Sequence, residues 1–277
     1  GATVTLDIWH KDFYEFVELR TNNGDDRRKA HDIFPSISVP NLFMERLIKR
    51  ENFTLFDPHE VNTVMGFALE DFYDTEEDKA FTEHYLACEK DSRLHGISVP
   101  ALEMMKKIMK SAVETGTPFI FFRDTVNEAN PNKHAGMIYA SNLCHEIAQN
   151  VGFTNLKKEI LEDDGTITTV TAPGDMVTCN LNSINLGKID EDFLEEQIAL
   201  QVRMLDNVIT INQTPVPESR LTCDKYRAIG LGTSGYHHYL VKHGLRWESK
   251  EHIAAADALF EKIAYYAIKA SMELSKE

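Results

Sequence analysis

The sequence predicts a mixed α/β fold, and three observations carry that expectation. Short β-branched or aromatic runs alternate with longer stretches of helical periodicity, clusters of Pro, Gly and Asn punctuate the joins, and no low-complexity, repeated or linker-like segment divides the chain. One α/β unit is expected.

Residues 3–9 alternate and are rich in β-branched side chains, which predicts a strand, and Phe13, Phe16, Val17 and Leu19 then recur at helical spacing within residues 12–20. Residues 21–26 form a polar turn centred on Asn23-Gly24, and Asp25-Asp26-Arg27-Arg28 reads as a solvated turn. Residues 33–39 are a second short apolar segment, interrupted by Pro35. Pro40-Asn41 then opens an amphipathic helix through Leu42, Met44, Leu47 and Ile48, and Asp57-Pro58 turns into another. Residues 76–89 and 99–114 are helical, the second entered through Pro100 and ended near Gly116. Four large apolar residues, 119–122, predict a buried strand, and an Asn-rich loop over 124–136 leads into Ser141-Asn142-Leu143-Cys144-His145-Glu146-Ile147.

Residues 150–174 are polar, with Asp163-Asp164-Gly165 between two β-leaning runs, and predict an exposed hairpin. Residues 176–180 are strand-like. The stripe Leu194, Ile198, Val202, Leu205 and Ile209 predicts a long helix over 193–211 lying on a core. A Pro-containing connection over 213–222, a strand over 226–231 and helices over 233–242 and 249–276 complete the expectation.

The bulk numbers narrow the function. In 277 residues, 43% are hydrophobic, enough for a packed core, and the net charge of −15 argues against binding duplex nucleic acid through its phosphates. Cys88, Cys144, Cys179 and Cys223 show neither a CxxC nor a Cys/His zinc spacing, which suits reduced thiols in the cytoplasm. No apolar run approaches the roughly 18 residues that span a bilayer, so no membrane partner is expected. Both ends look cut: no start methionine precedes the first strand, and Glu277 closes a helix without a cap.

The stretch around Cys144 is the candidate site. If its backbone is extended, alternation sends Asn142, Cys144 and Glu146 to one side, so a small surface holds an amide, a hydrogen-atom or nucleophilic centre and an acid/base. A bare N-x-C-x-E also occurs around buried, inert cysteines, so the remaining chain decides its weight. His145, next to Cys144 on such a strand, points away from it and makes a poor activating base. Cys179 is either a small buried hydrophobe or a second thiol facing the same pocket. Gly230-Leu231-Gly232-Thr233-Ser234-Gly235 fits G-x-G-x-x-G, but no second strand with an acidic end follows, which favours tight strand-to-helix packing over a dinucleotide turn. His237 and His238 point to different helix faces and find no third ligand at a metal-binding spacing.

Six segments together resemble the catalytic large subunit of ribonucleotide reductase, with most likeness to the class I enzymes. They are TVTLDIWH (3–10), NNGDDRRKAHDIFPSISVPNLFMERL (22–47), TLFDPHEV (54–61), SNLCHEI (141–147), TCNLNSINLG (178–187) and YRAIGLGTSGYHH (226–238). The resemblance implies an α/β barrel of two antiparallel halves whose central finger loop carries the radical cysteine at its tip. By motif, Cys144 would be that cysteine, Asn142 the substrate-orienting amide, Glu146 the carboxylate, and Cys179 one of the two thiols that become a disulfide in turnover. Cys88 and Cys223 match no functional position. It further implies a ribonucleotide substrate, a metal-containing small subunit as radical generator (adenosylcobalamin if the cobalamin-dependent class applies), thioredoxin or glutaredoxin as reductant, and a homodimer of large subunits. No cofactor would bind this segment directly. Residues 1–277 read as one segment of the catalytic barrel. The ATP-cone, the partner thiol of Cys179 and the C-terminal portion are expected outside it, so the segment alone should be inactive. A non-catalytic remnant of the same fold and a dinucleotide-dependent oxidoreductase are the alternatives.

Overall fold

The computed structural model describes residues 2–277, and the chain divides into two compact units, Gly1–Phe153 and Thr154–Glu277. In the first, β1 (Ala2–Asp7) is followed by α1 (Phe13–Val17), β2 (Ile33–Val39), α2 (Asn41–Lys49), β3 (Asn52–Leu55), α3 (Pro58–Met65), α4 (Ala80–Lys90), β4 (Ile97–Pro100), α5 (Ala101–Thr115), β5 (Phe119–Phe122) and α6 (Arg123–Glu128). The strands β1, β2 and β5 form a parallel sheet in that order, and β3 pairs antiparallel with β4. Parallel neighbours need long crossovers, which the intervening helices supply.

Pro35 shows how the sheet tolerates a residue without an N–H. It pairs with Val4 of β1, and the β5 ladder starts one residue later, at Ser36 opposite Phe119. On the β5 side Pro35 is therefore still at an edge, where proline forfeits no ladder bond.

Helix ends follow the chemistry of the caps. Asp57 Oδ1 accepts from the backbone N–H groups of His59 and Glu60, with Pro58 in the first turn, and Gly116 closes α5 at φ +75°. The core joins Ile8, Trp9, Phe13, Ile37, Phe43 and Phe53, each at most 1% exposed, to Phe81 and Tyr85 of α4. The Tyr85 hydroxyl accepts from Thr54 N and donates to Thr54 O, at 2.6 and 2.8 Å, so its polar end is satisfied on β3.

In the second unit, β6 (Asn155–Leu161) and β7 (Ile167–Ala172) form the expected exposed hairpin, with Gly165 in its turn at φ +85°. After it come β8 (Leu181–Asn185), α7 (Leu194–Ile211), α8 (Pro217–Tyr226), β9 (Gly230–Ser234), α9 (Tyr236–Lys242) and α10 (Lys250–Leu274). The five stripe residues of α7 named from the sequence are its buried ones, and Leu194, Ile198 and Val202 share a core with Leu259, Ile263 and Ala270 of α10. Each of the Leu, Ile and Val side chains contributes about 1.5–3 kcal/mol by leaving water.

Several expectations are corrected. Residues 176–180 are irregular rather than a strand, because β8 begins only at Leu181. The connection over 213–222 contains the start of α8, with Pro217 in its first turn. The strand expected over 226–231 is displaced to β9, and β3, β4 and α6 were not foreseen. Of residues 119–122 only Phe121 is buried, and Phe122 is 45% exposed, because β5 is an edge strand. The chain is mixed α/β, but the strands of the described residues fall into one three-stranded sheet and three pairs rather than a closed barrel. No helix among the described residues is long and apolar enough to cross a membrane.

Candidate functional site

The Cys144 segment is a turn, so the condition of an extended backbone is not met there. His145 N donates to Asn142 O at 3.2 Å, placing Leu143 and Cys144 at the centre, and His145 takes φ +65°. Strand alternation therefore does not govern where Asn142, Cys144 and Glu146 point. The turn is built from its own side chains: Asn142 Oδ1 accepts from Ile147 N at 3.0 Å, and Ser141 Oγ donates to Ile147 O at 2.5 Å. A short amide that replaces backbone partners in this way stabilises a tight reversal. Thr3 Oγ1 of β1 donates to Leu143 O at 2.9 Å and ties the tip to the parallel sheet.

At the tip of the turn Leu143 and Cys144 are both exposed. Cys144 and Glu146 are exposed and Asn142 is half-buried. His145 is turned inward, its ring 4.7 Å from that of Phe119 and 6.3 Å from that of Phe121 on β5. Burial lowers the imidazole pKa, outweighing the opposite pull of Glu146. The ring of His145 thus anchors the turn on β5.

Below the tip, the loop is closed by buried asparagines that the motif reading missed. Asn127 on α6 brackets Ile138, accepting from its N–H at 2.8 Å and donating to its carbonyl at 2.9 Å. Asn130 Nδ2 donates to Asn150 Oδ1 at 2.7 Å, and Asn150 Nδ2 to Asn132 O at 2.9 Å. The signal available in the sequence was the density of Asn over 124–136, which singled out a loop without saying what its amides bind.

Cys179 lies in the second unit, exposed on the irregular segment before β8. That segment is anchored to α8: Met176 N donates to Thr222 Oγ1 at 2.8 Å, the Thr178 and Ser219 hydroxyls share a hydrogen bond, and Lys225 and Tyr226 both donate to Asp175. It then runs into β8, which pairs in parallel with β9 from Leu181 opposite Gly230 to Asn185 opposite Ser234. A side chain on Gly230 would lie 2.3 Å from Leu181 Cδ2, and one on Gly187 would lie 2.4 Å from the His238 ring. Gly235 adopts φ +68° beside Asn185. The glycines of the G-x-G-x-x-G run thus serve close backbone approach, and the motifs beginning at Cys179 and ending at His238 interlock as one structure.

The other two cysteines differ in kind. Cys88 is 1% exposed on α4, and burial, with Asp91 next, pushes its thiol up to about 11. Cys223 is half-buried on α8. Among the described residues no group of three or more His, Cys, Asp or Glu is arranged to hold a metal ion.

The family model "Ribonucleotide reductase, barrel domain" matches residues 1–277. A ribonucleoside-diphosphate reductase subunit alpha of Treponema pallidum is 50% identical over 287 residues, covering 100% of this chain and 33% of that protein. Those of Helicobacter pylori strain 26695 and of Synechocystis are 38% and 39% identical, covering all of this chain and 39% and 33% of their own lengths. The chain spans about a third of the length of these curated relatives.

Proposed function

The chain belongs to the ribonucleotide reductase barrel-domain family, and from that premise we propose that, within its full-length protein, it reduces ribonucleoside diphosphates to 2′-deoxyribonucleotides. The observation that carries the reading is an exposed Cys144 at the centre of a pinned turn, with Asn142 and Glu146 two residues to either side, in a chain the family covers end to end.

The chemistry assigns each side chain one task. A thiyl radical on Cys144 takes the hydrogen from ribose C3′, since S–H and activated C–H bonds are similar in strength, leaving Cys144 as a thiol and the radical on carbon. Glu146 accepts the 3′-hydroxyl proton as general base. Asn142 holds the ribose hydroxyls so that the correct hydrogen faces sulfur. The 2′-hydroxyl leaves as water with a proton from a dithiol, of which Cys179 is one half; the dithiol's second hydrogen goes to C2′, and as the pair closes to a disulfide, having supplied two electrons in all, Glu146 returns its proton to the 3′ oxygen. Cys144 then returns its hydrogen to C3′ and is a thiyl again. The oxidising equivalent that starts the cycle comes from a radical-generating small subunit, and thioredoxin or glutaredoxin reopens the disulfide in a reducing cytoplasm. The partner thiol and the remainder of the active site belong to flanking segments, consistent with relatives about three times as long.

The test is CDP reduction by the full-length protein with its radical partner and a dithiol reductant. Deoxy product that disappears with Cys144→Ala supports the assignment, and wild-type turnover in that variant sinks it.

A further inference from the structure

The loop carrying Cys144 is short of packing and long on amides. Cys144 lies midway between Ile138 and Asn150, and those two residues are 1% and 4% exposed while Cys144 itself is exposed. Around the buried Met137 and Ile138, the base is closed by Asn127, Asn130 and Asn150, at 1%, 6% and 4% exposure. Asn127 spends both ends of its amide on one residue, Ile138, and its Nδ2 also reaches Arg123 O of α6 at 3.0 Å. Asn130 binds across the base to Asn150, which in turn donates to Asn132 O, while Asn130 Oδ1 accepts from Asn132 N at 2.9 Å. One backbone bond, Val151 N to Met137 O at 3.3 Å, completes the closure.

Buried amides linked in this way are directional: each bond fixes a distance and an angle, and a displaced partner leaves a polar group unsatisfied. An apolar contact of the same area would tolerate sliding. We propose that Asn127, Asn130 and Asn150 form a positioning clamp that fixes the base of the loop so that the Cys144 sulfur stands at one place relative to substrate. The proposal rests on the reading of Cys144 as the radical cysteine. The clamp touches neither substrate nor radical; it acts through the loop. Its requirement is set by the reaction, because hydrogen transfer between sulfur and carbon is steep in distance, and a misplacement of about 1 Å costs on the order of 10²-fold in rate.

The experiment compares Asn127→Ala, Asn127→Asp and Asn150→Ala with the parent in the full-length protein and its radical partner. It measures kcat, KM and the isotope effect on kcat with 3′-deuterated CDP. Asn127→Asp keeps the size and the acceptor for Ile138 N but removes the donors to Ile138 O and Arg123 O. The clamp predicts a fall in kcat of about 10- to 100-fold with KM within about twofold, and a rise in the isotope effect as C3′–H cleavage becomes slower. Hydrogen exchange should show residues 137–151 opening while β1, β2 and β5 keep their protection. A merely structural role lowers the active fraction without moving the isotope effect. That result, or parent kcat in a folded Asn127→Ala protein, overturns the clamp. If Asn127→Ala does not fold, Asn150→Ala, which leaves the Ile138 bracket intact, gives the same two readouts and decides by the same criteria. Cys144→Ala run alongside separates the claims: turnover there removes the radical assignment itself, whereas a dead Cys144→Ala beside Asn variants with parent kinetics removes only the clamp.

Discussion

The segments carrying Cys144 and Cys179 both expose a thiol without regular structure, yet they are held by different means. The Cys144 turn is bound through its own backbone, at the tip by Asn142 and Thr3 and at the base by Asn127. The Cys179 segment hangs by side-chain hydroxyls and charges from α8, with Thr222 and Ser219 each 3% exposed, and by a backbone bond from Gly230 N to Asn180 O. Backbone capture at both ends of a short loop fixes a position. The Cys179 segment is instead held by two neighbouring elements, α8 through Met176 N and β9 through Asn180 O. Under the proposed function, the first arrangement serves a thiyl that must meet one hydrogen, and the second a thiol that closes a disulfide and is reduced again.

The largest effects come from the thiols themselves. Cys144→Ala is expected to abolish deoxyribonucleotide formation in the full-length protein, and Glu146→Gln to lower it about 10²- to 10⁴-fold, with thermal melting unchanged because both side chains are exposed. Cys179→Ser is expected to end sustained dithiol-dependent turnover, since no disulfide can form. The two should part on 3′-tritiated substrate: cleavage of the 3′ C–H bond survives Cys179→Ser and not Cys144→Ala. Equal loss of cleavage in both variants breaks the division of labour.

A smaller effect probes the second attachment alone. Gly187→Ala drives a methyl into the His238 ring, and Gly235→Ala adds strain at φ +68° beside Asn185. Overpacking of this kind costs about 1–3 kcal/mol. Urea unfolding should report it, and sustained turnover should fall further than 3′ C–H cleavage, because β8 and β9 carry the Cys179 segment and not the Cys144 loop. Equal loss of both activities would mean that the two segments do not act separately.

How much of this the sequence discloses depends on whether local pattern or distant partners decide a residue's place. The α7 stripe was read residue for residue because a helix's period is set by its own backbone, and the capping of α3 by Asp57-Pro58 is equally local. At Cys144, N-x-C-x-E is compatible with strand alternation, and the pattern alone does not reveal the turn. What bends it is the Asn142 amide together with Thr3, whose position beside Leu143 depends on the folded sheet. The strand expected over 226–231 slid to Gly230–Ser234 for a related reason: the glycines that weaken an isolated strand are what let it approach β8. Residue types at the candidate site came from motif likeness, whereas the asparagines beneath it carry no motif and become visible only as contacts.

The least effect expected is a pH dependence that belongs to one attachment and not the other. His145 lies against Phe119 and Phe121, and burial holds its pKa below the ordinary value of about 6.5. The unfolded chain therefore binds this proton at a higher pH than the folded one does. Stability is unaffected above the unfolded pKa, falls as pH drops below about 6.5, and stops falling once the folded imidazole is also protonated. Replacing His145 by Gln, which cannot be protonated, should flatten that part of the urea midpoint profile between pH 7.5 and 5.5. The readout that makes it a property of the loop is hydrogen exchange: acid should loosen residues 141–147 in the parent before it loosens the Cys179 segment, and His145→Gln should remove the difference. A parent profile already flat over that range would show that the ring contacts with β5 do not depend on the imidazole's charge, leaving Thr3 and the asparagines as the anchors of the turn.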